Sequence, residues 1–302
     1  MIWKLNETNK IENIHLNLFD KNSDFIGSKT YYAYDESVFI TDWFRKYHTR
    51  IVNENNIGSI GLYGSDFQHS NYISITNPNH HPNRWTFVKN SNLIETSIYF
   101  TVRHCIEATW LNDRDQFLFP NNGWETDSEF QNDCLAFSLF HGQNRISASE
   151  GINHWIPFTE QEVNAKEKFE SNFMTQFIAG KSSSNPSKGG EQAHLFAEDT
   201  KVKLHDNQPK VFSEEAKAVF NAGRELWKYY HEIASLSRND YNVNASFYDI
   251  RAHFQGRNDK GRMNAKSDDA KYSELIAALR QSLKILADKI KPKIYEFEFL
   301  KE

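Results

Sequence analysis

Two stretches decide how the chain is read: Ser213-Glu-Glu-Ala-Lys-Ala-Val-Phe-Asn-Ala-Gly-Arg-Glu-Leu-Trp-Lys-Tyr-Tyr-His-Glu-Ile233 and Ser267-Asp-Asp-Ala-Lys-Tyr-Ser-Glu-Leu-Ile-Ala-Ala-Leu-Arg-Gln-Ser-Leu-Lys-Ile-Leu-Ala-Asp-Lys-Ile290. In the first, Val219, Phe220, Leu226, Trp227, Tyr230 and Ile233 recur at three- and four-residue spacing, the signature of a helix with one apolar face. Ser213 is placed to cap it. In the second, Tyr272, Leu275, Ile276, Leu279, Leu283, Leu286 and Ile290 make the stripe. Ser267 is its expected cap, Asp268 and Asp269 suit the positive end of the helix dipole, and Pro292 is expected to stop it. The two stripes bury most simply against each other. Beyond them Tyr295, Phe297 and Phe299 alternate with Glu296 and Glu298, which predicts a terminal strand.

Upstream, strand and helix signals mix. Ile14, Leu16 and Leu18 alternate with polar residues, predicting a half-buried strand. Val38, Phe39, Trp43, Phe44 and Tyr47 predict a helix over 34–50, and 57–63 and 72–75 read as strands. Asn92 and Glu95 have capping-box spacing before a helix with Ile94, Ile98, Val102, Cys105, Ile106 and Thr109 on one face. Residues 134–140 are an apolar run readable as strand or helix. Thr159 and Glu162 make a second capping box, opening a helix with Val163, Phe169, Phe173, Phe177 and Ile178 inward and Gly180 at its end. Lys181-Ser-Ser-Ser-Asn-Pro-Ser-Lys-Gly-Gly190 reads as a linker. The expected fold class is therefore mixed α/β, of the α+β kind. It has an N-terminal mixed sheet with helices over 1–180, a linker or mobile loop over 181–212, and a mainly helical part over 213–302 with a helix pair and a terminal strand.

Of 302 residues, 35 are basic and 40 acidic. The charge is uneven: residues 166–302 hold 23 basic and 20 acidic residues, against 12 and 20 in residues 1–165. Six of the seven tryptophans lie in the acidic part. Such a composition excludes collagen-like, disulfide-stapled and largely disordered chains. No apolar run is long enough to span a membrane, so no membrane partner is expected. No signal peptide is read at Met1-Ile-Trp-Lys-Leu-Asn-Glu7, and two cysteines, Cys105 and Cys134, suit a reducing cytoplasm.

The sequence contains no phosphate-binding loop, dinucleotide fingerprint, nucleophile elbow, Cys-x-x-Cys or His-Glu-x-x-His. The neighbours His80 and His81, and His104 and Cys105, lack zinc-ligand spacing and read as structural or surface residues. Four candidates remain. Residues 110–117 pack Asn112, Asp113, Arg114, Asp115 and Gln116 between aromatics. This is either a recognition loop offering Asn112, Arg114 and Gln116, or a helix-end turn fixed by an Asp–Arg pair. Residues 64–71 carry Asp66, Gln68, His69 and Asn71, a polar site at a sheet edge or a plain turn. The segment 251–266 carries Arg251, Arg257, Lys260, Arg262 and Lys266 with Gln255, Asn258 and Asn264. Cations hold phosphates, and Arg, Asn and Gln also read base edges, so this is a DNA-binding loop or simply a solvated basic one. Asp113 and Asp115, with Glu107 a helical turn before, are candidate ligands for a metal-dependent nuclease, but no lysine lies close to them in sequence.

Four stretches together carry a resemblance: Ile94–Phe117, Asn132–His141, Val219–His231 and Asn244–Arg257. They resemble the region downstream of the catalytic domain in Eco57I-like adenine-N6 DNA methyltransferases of restriction–modification systems. That family implies S-adenosylmethionine-dependent methylation of adenine in DNA. It implies a Phe-x-Gly-type cofactor motif and an Asn-Pro-Pro-Tyr/Phe motif that holds the target base. Neither motif is present: Asn77-Pro-Asn-His80 and Asn185-Pro-Ser-Lys188 each have one proline and lack the stacking aromatic. The resemblance therefore implies a chain with no catalytic residues, no metal and no cofactor of its own. It would supply target recognition or a scaffold to a catalytic methyltransferase subunit or domain that carries the missing motifs. The competing expectations are a nuclease component and a protein scaffold that does not touch DNA.

Overall fold

The computed structural model describes residues 12–34, 38–51, 56–79, 84–181, 208–236 and 241–301. It begins with a hairpin. Strands β1 (Asn13–Phe19) and β2 (Phe25–Tyr32) pair antiparallel, with Ile14 opposite Tyr31, Leu16 opposite Lys29 and Leu18 opposite Gly27. The Asp20 carboxylate accepts the backbone N–H groups of Asn22 and Asp24 and so closes the turn. The alternation at 14–18 does mark a strand, but Ile14 and Leu16 stay 50% and 39% exposed.

Helix α1 (Ile40–Phe44), continued by a 3-10 turn over Arg45–Tyr47, is shorter than the one expected over 34–50. Strand β3 (Gly58–Gly61) is the middle of a three-stranded antiparallel sheet, between β4 (Ile75–Thr76) and β5 (Trp85–Val88). Most of the strand expected at 72–75 is absent, because a 3-10 helix over Phe67–Tyr72 fills the connection. Helix α2 (Leu93–His104) starts where expected, but without the Asn92–Glu95 box. Instead the Asn92 carboxamide oxygen accepts the Lys89 N–H, and its amide donates to the Tyr47 and Phe87 carbonyls. Asn92 thus ties the sheet to the helix, and satisfying those buried carbonyls takes the place of capping.

The apolar run 134–140 is the second half of helix α3 (Ser128–Phe140), capped by Asp127. Ser138 donates to Ser97, and Thr101 to the Cys134 carbonyl, so α2 and α3 meet through small hydroxyl residues. The Thr159–Glu162 capping box forms, but it opens only α4 (Glu160–Val163), which Asn164 ends at φ 57°. Phe173 and Phe177 sit on a separate helix, α5 (Phe173–Ile178), closed at Gly180 with φ 66°.

Helix α6 (Glu214–Ala234) is capped by Ser213 as its sequence requires. Helix α7 (Phe247–Gln255), opened by a Ser246–Asp249 box, takes in the first five residues of the expected 251–266 loop. Helix α8 (Ala270–Glu296) is capped by Asp269, not Ser267. The Ser267 hydroxyl donates to the Phe254 carbonyl. Pro292 lies within α8 and does not stop it. The expected terminal strand is absent: Phe297 ends the helix and Glu298 turns the chain at φ 62°. Both neighbouring phenylalanines then reach the core, Phe297 against Phe130 (5.0 Å between ring centres) and Phe299 against Trp43 (5.6 Å). The alternation of Phe and Glu arises from this reversal rather than from a strand.

The architecture is mixed, with small N-terminal sheets followed by helices. α6 packs along α8 as the two stripes require, and α3 touches both. Gly223 of α6 allows this approach, since a Cβ there would lie 2.3 Å from the Phe140 ring. Asp133 is 1% exposed and joins the three helices, accepting the Ser213 N–H and pairing with Lys289 Nζ at 2.8 Å. One hydrophobic core contains residues from both sides of the expected linker, of which 182–207 lie outside the described residues. Among the described residues no helix is long and apolar enough to cross a membrane.

Candidate nucleic-acid interface

Helix α7 carries Arg251 to the edge of the core. Its inward residues Phe247 and Ile250 are buried, which turns Arg251 to the boundary between core and solvent. The Arg251 guanidinium lies 5.5 Å from the Phe247 ring centre and donates to the Gly142 carbonyl at 3.1 Å. Burial lowers its pKa, with Arg280 of α8 and Arg145 after α3 adding to the shift, while Tyr272 and Tyr248 oppose it. No carboxylate among the described residues figures in that balance. Arg145 and Arg280 are exposed, and Arg145 donates to the Gln143 side chain at 2.7 Å. Arg145, in the segment after α3, and Arg280 of α8 thus both act on Arg251 of α7.

The loop after α7 extends this region. Gly256 and Gly261 take φ 64° and 70°, which glycine adopts without strain. Asn258 accepts the N–H groups of Lys260 and Arg262, fixing the loop tip. Arg257 donates to the Gly261 carbonyl and to the Tyr248 hydroxyl, both at 3.0 Å. Gln255 is buried: its amide donates to the Asn264 carbonyl and its oxygen accepts the Tyr272 hydroxyl, while Asn264 donates back to the Gln255 carbonyl. The amides Gln255, Asn258 and Asn264 are thus engaged in building the loop. Lys260, Arg262 and Lys266 are exposed on it. Arg251 and Gln255 belong to α7 rather than to the loop.

The 110–117 segment is a different object. Asn112 accepts the Thr109 N–H and donates to the Glu107 carbonyl, and Gln116 donates to the Arg114 carbonyl. Asp113 accepts from Gln68 at 3.0 Å, and Asp115 pairs with Lys29 of β2 at 2.6 Å. Burial raises the Asp115 pKa and Lys29 partly offsets this. Gln116 bridges to Asp66, so the 64–71 and 110–117 segments lie side by side. Asp66 caps the 3-10 helix and contacts His69 at 2.7 Å, and Asn71 is exposed. Arg114 is exposed, as is Trp110 at 74%. Among the described residues no three His, Cys, Asp or Glu side chains group as a metal site requires, so Glu107, Asp113 and Asp115 do not form one.

His104 and His141 stack at 4.6 Å, and His104 Nε2 meets the Ile73 carbonyl at 2.8 Å. Burial lowers both pKa values, that of His141 to about 4 with Arg251 adding to the shift. Burial also pushes both cysteine thiols up, which removes them as nucleophiles at neutral pH. His80 and His81 lie outside the described residues. Sequence reading missed Arg145 and Arg280, which lie far from Arg251 in the chain and act on it only through tertiary packing. No family model matches the chain, and no curated protein or solved structure is significantly similar to it.

Proposed function

We propose that the chain is the DNA-recognition or accessory part of a bacterial restriction–modification system of the adenine-N6 methyltransferase kind, acting without methyl-transfer chemistry of its own. The observation that carries this reading is the group Arg145, Arg251 and Arg280, with Arg257, Lys260 and Arg262 on the loop beside it and no carboxylate balancing Arg251. Guanidinium groups that have no carboxylate partner can be matched by phosphate oxygens, and neutralising phosphates releases condensed counterions. The resemblance of residues 94–117, 132–141, 219–231 and 244–257 supplies the biological setting. Residues 1–165 are acidic on balance, but Arg145 lies among them, so the phosphate-facing region joins α7 and α8 to the segment after α3. S-adenosylmethionine and the base-holding motif belong, on this reading, to a partner methyltransferase subunit, and the complex works in the cytoplasm.

The test is duplex-DNA binding by fluorescence anisotropy across a salt series. Wild-type affinity falls as salt rises, with a log–log slope of about −0.9 per phosphate neutralised. Replacing Arg145 and Arg280 together by alanine makes the slope shallower by about two. Absence of binding at low salt would overturn the reading.

A further inference from the structure

The β1–β2 hairpin leaves unusual material in solvent. Ile14, Leu16, Phe19, Phe25 and Ile26 are between 39% and 61% exposed, although all are large and apolar. β2 is held to the body, through Tyr31 Oη to the Leu111 carbonyl and Lys29 to Asp115. β1 is the outer strand, and among the described residues its second edge pairs with nothing. Soluble proteins guard such edges with charges, prolines or bulges that interrupt pairing. β1 reads Asn-Ile-His-Leu-Asn-Leu-Phe and contains no charged residue and no proline, and its one irregularity falls at its end, between Leu18 and Phe19.

We propose that β1 pairs antiparallel with β1 of a second copy of this chain, with Leu16 on the two-fold axis. Two observations fix that occupant and that register. The first is polarity. About Leu16, Ile14 is matched by Leu18 and His15 by Asn17. Over residues 14–18 self-pairing therefore sets apolar against apolar and neutral polar against neutral polar, with no like charges opposed. The second is the backbone. The Ala33 N–H donates to the Glu12 carbonyl, so residues 12, 14, 16 and 18 turn their peptide groups toward β2. The peptide groups of Asn13, His15 and Asn17 then face outward. Centring on Leu16 makes His15 and the partner's Asn17 a hydrogen-bonded pair, and makes the two Leu16 residues a close non-hydrogen-bonded pair. The product is a four-stranded sheet in the order β2-β1-β1-β2. Its stripe of Ile14, Leu16 and Leu18 continues across the axis.

The register gives a sharp test. Non-hydrogen-bonded partners have Cα atoms ~4.5 Å apart, within the range a disulfide spans. Leu16→Cys, oxidised under mild conditions in the full-length chain, is expected to form a dimer that reductant dissolves. His15→Cys, whose residues are offset across the axis, is expected not to. Light scattering of the wild type is expected to give twice the 35.3 kDa chain mass. Leu16→Lys, which opposes two like charges, is expected to give the monomer with an unchanged thermal melt of the helical core. A wild-type monomer at the highest soluble concentration would overturn the proposal. So would equal cross-linking at positions 15 and 16. DNA binding through α7 and α8 stands or falls separately, since none of these substitutions touches that surface.

Discussion

The segments 110–117 and 251–266 look alike as sequence, each with arginine among amides and carboxylates, and the fold treats them in opposite ways. In the first the carboxylates find partners on distant segments, Asp115 with Lys29 of β2 and Asp113 with the Gln68 amide. In the second the cations meet other cations, with Arg251 under the influence of Arg280 and Arg145. What the two share is the fate of the amides. Asn112 and Gln116, like Gln255, Asn258 and Asn264, hydrogen-bond within their own loops. An amide in a turn is claimed first by nearby backbone groups, because a buried unsatisfied N–H or C=O costs more than a solvated one. Charge left over after folding is therefore the better guide to a ligand than amide content.

The strongest way to break this contrast is DNA binding. Combining Arg145→Ala with Arg280→Ala is expected to cut affinity by at least about tenfold at low salt, as loss of two phosphate contacts requires. Arg114→Ala is expected to change it less than about twofold. Equal losses would erase the distinction between the two segments. Next in size is stability. Gln255→Ala leaves the Tyr272 hydroxyl and the Asn264 carbonyl without a buried partner, and is expected to cost about 1–3 kcal/mol in a denaturant melt. Asn112→Ala, at a partly exposed turn, is expected to cost less than ~1 kcal/mol.

Smaller effects follow from titration. The His141 pKa, about 4 in the folded chain against 6.5 for the free side chain, means that the unfolded state binds more protons between those values. Stability is then expected to fall as pH drops from about 6.5 toward 4, and His141→Gln to flatten that part of the profile. Arg251→Ala is expected to raise the His141 pKa, read by proton NMR, because it removes a like charge. The raised Asp115 pKa has the opposite sign. The folded state holds its proton more tightly, so stability falls as pH rises from 3.8 through the folded value. Asp115→Asn is expected to remove this small slope.

Much of the helical part was legible because its signals are local. Ser213 and the 219–233 stripe specify α6 within one continuous stretch, and the α8 stripe does the same. The failures have tertiary causes. Asn92 gave up its capping role to hold two carbonyls that sequence places far from it or in another element. Pro292 stays helical near the end of α8, where Ile290 and Ile294 beside it are buried, so burial outweighs one lost backbone bond. α7 was masked by the glycines and charges that follow it. Of the candidate site, the cations of 251–266 could be read in order along the chain. Arg145 and Arg280 could not, because only packing brings them to Arg251.

The inward turn at Phe297 and Phe299 has a consequence for how the chain folds. Their carbonyls receive the N–H groups of Asn121 and Leu118, and the Asn121 side chain reaches Glu296, 175 positions away. Phe299 covers Trp43 and Phe297 covers Phe130, so residues 297–299 complete this aromatic cluster. The N-terminal aromatic cluster is thus closed only by contacts of long sequence separation, which are slow to form.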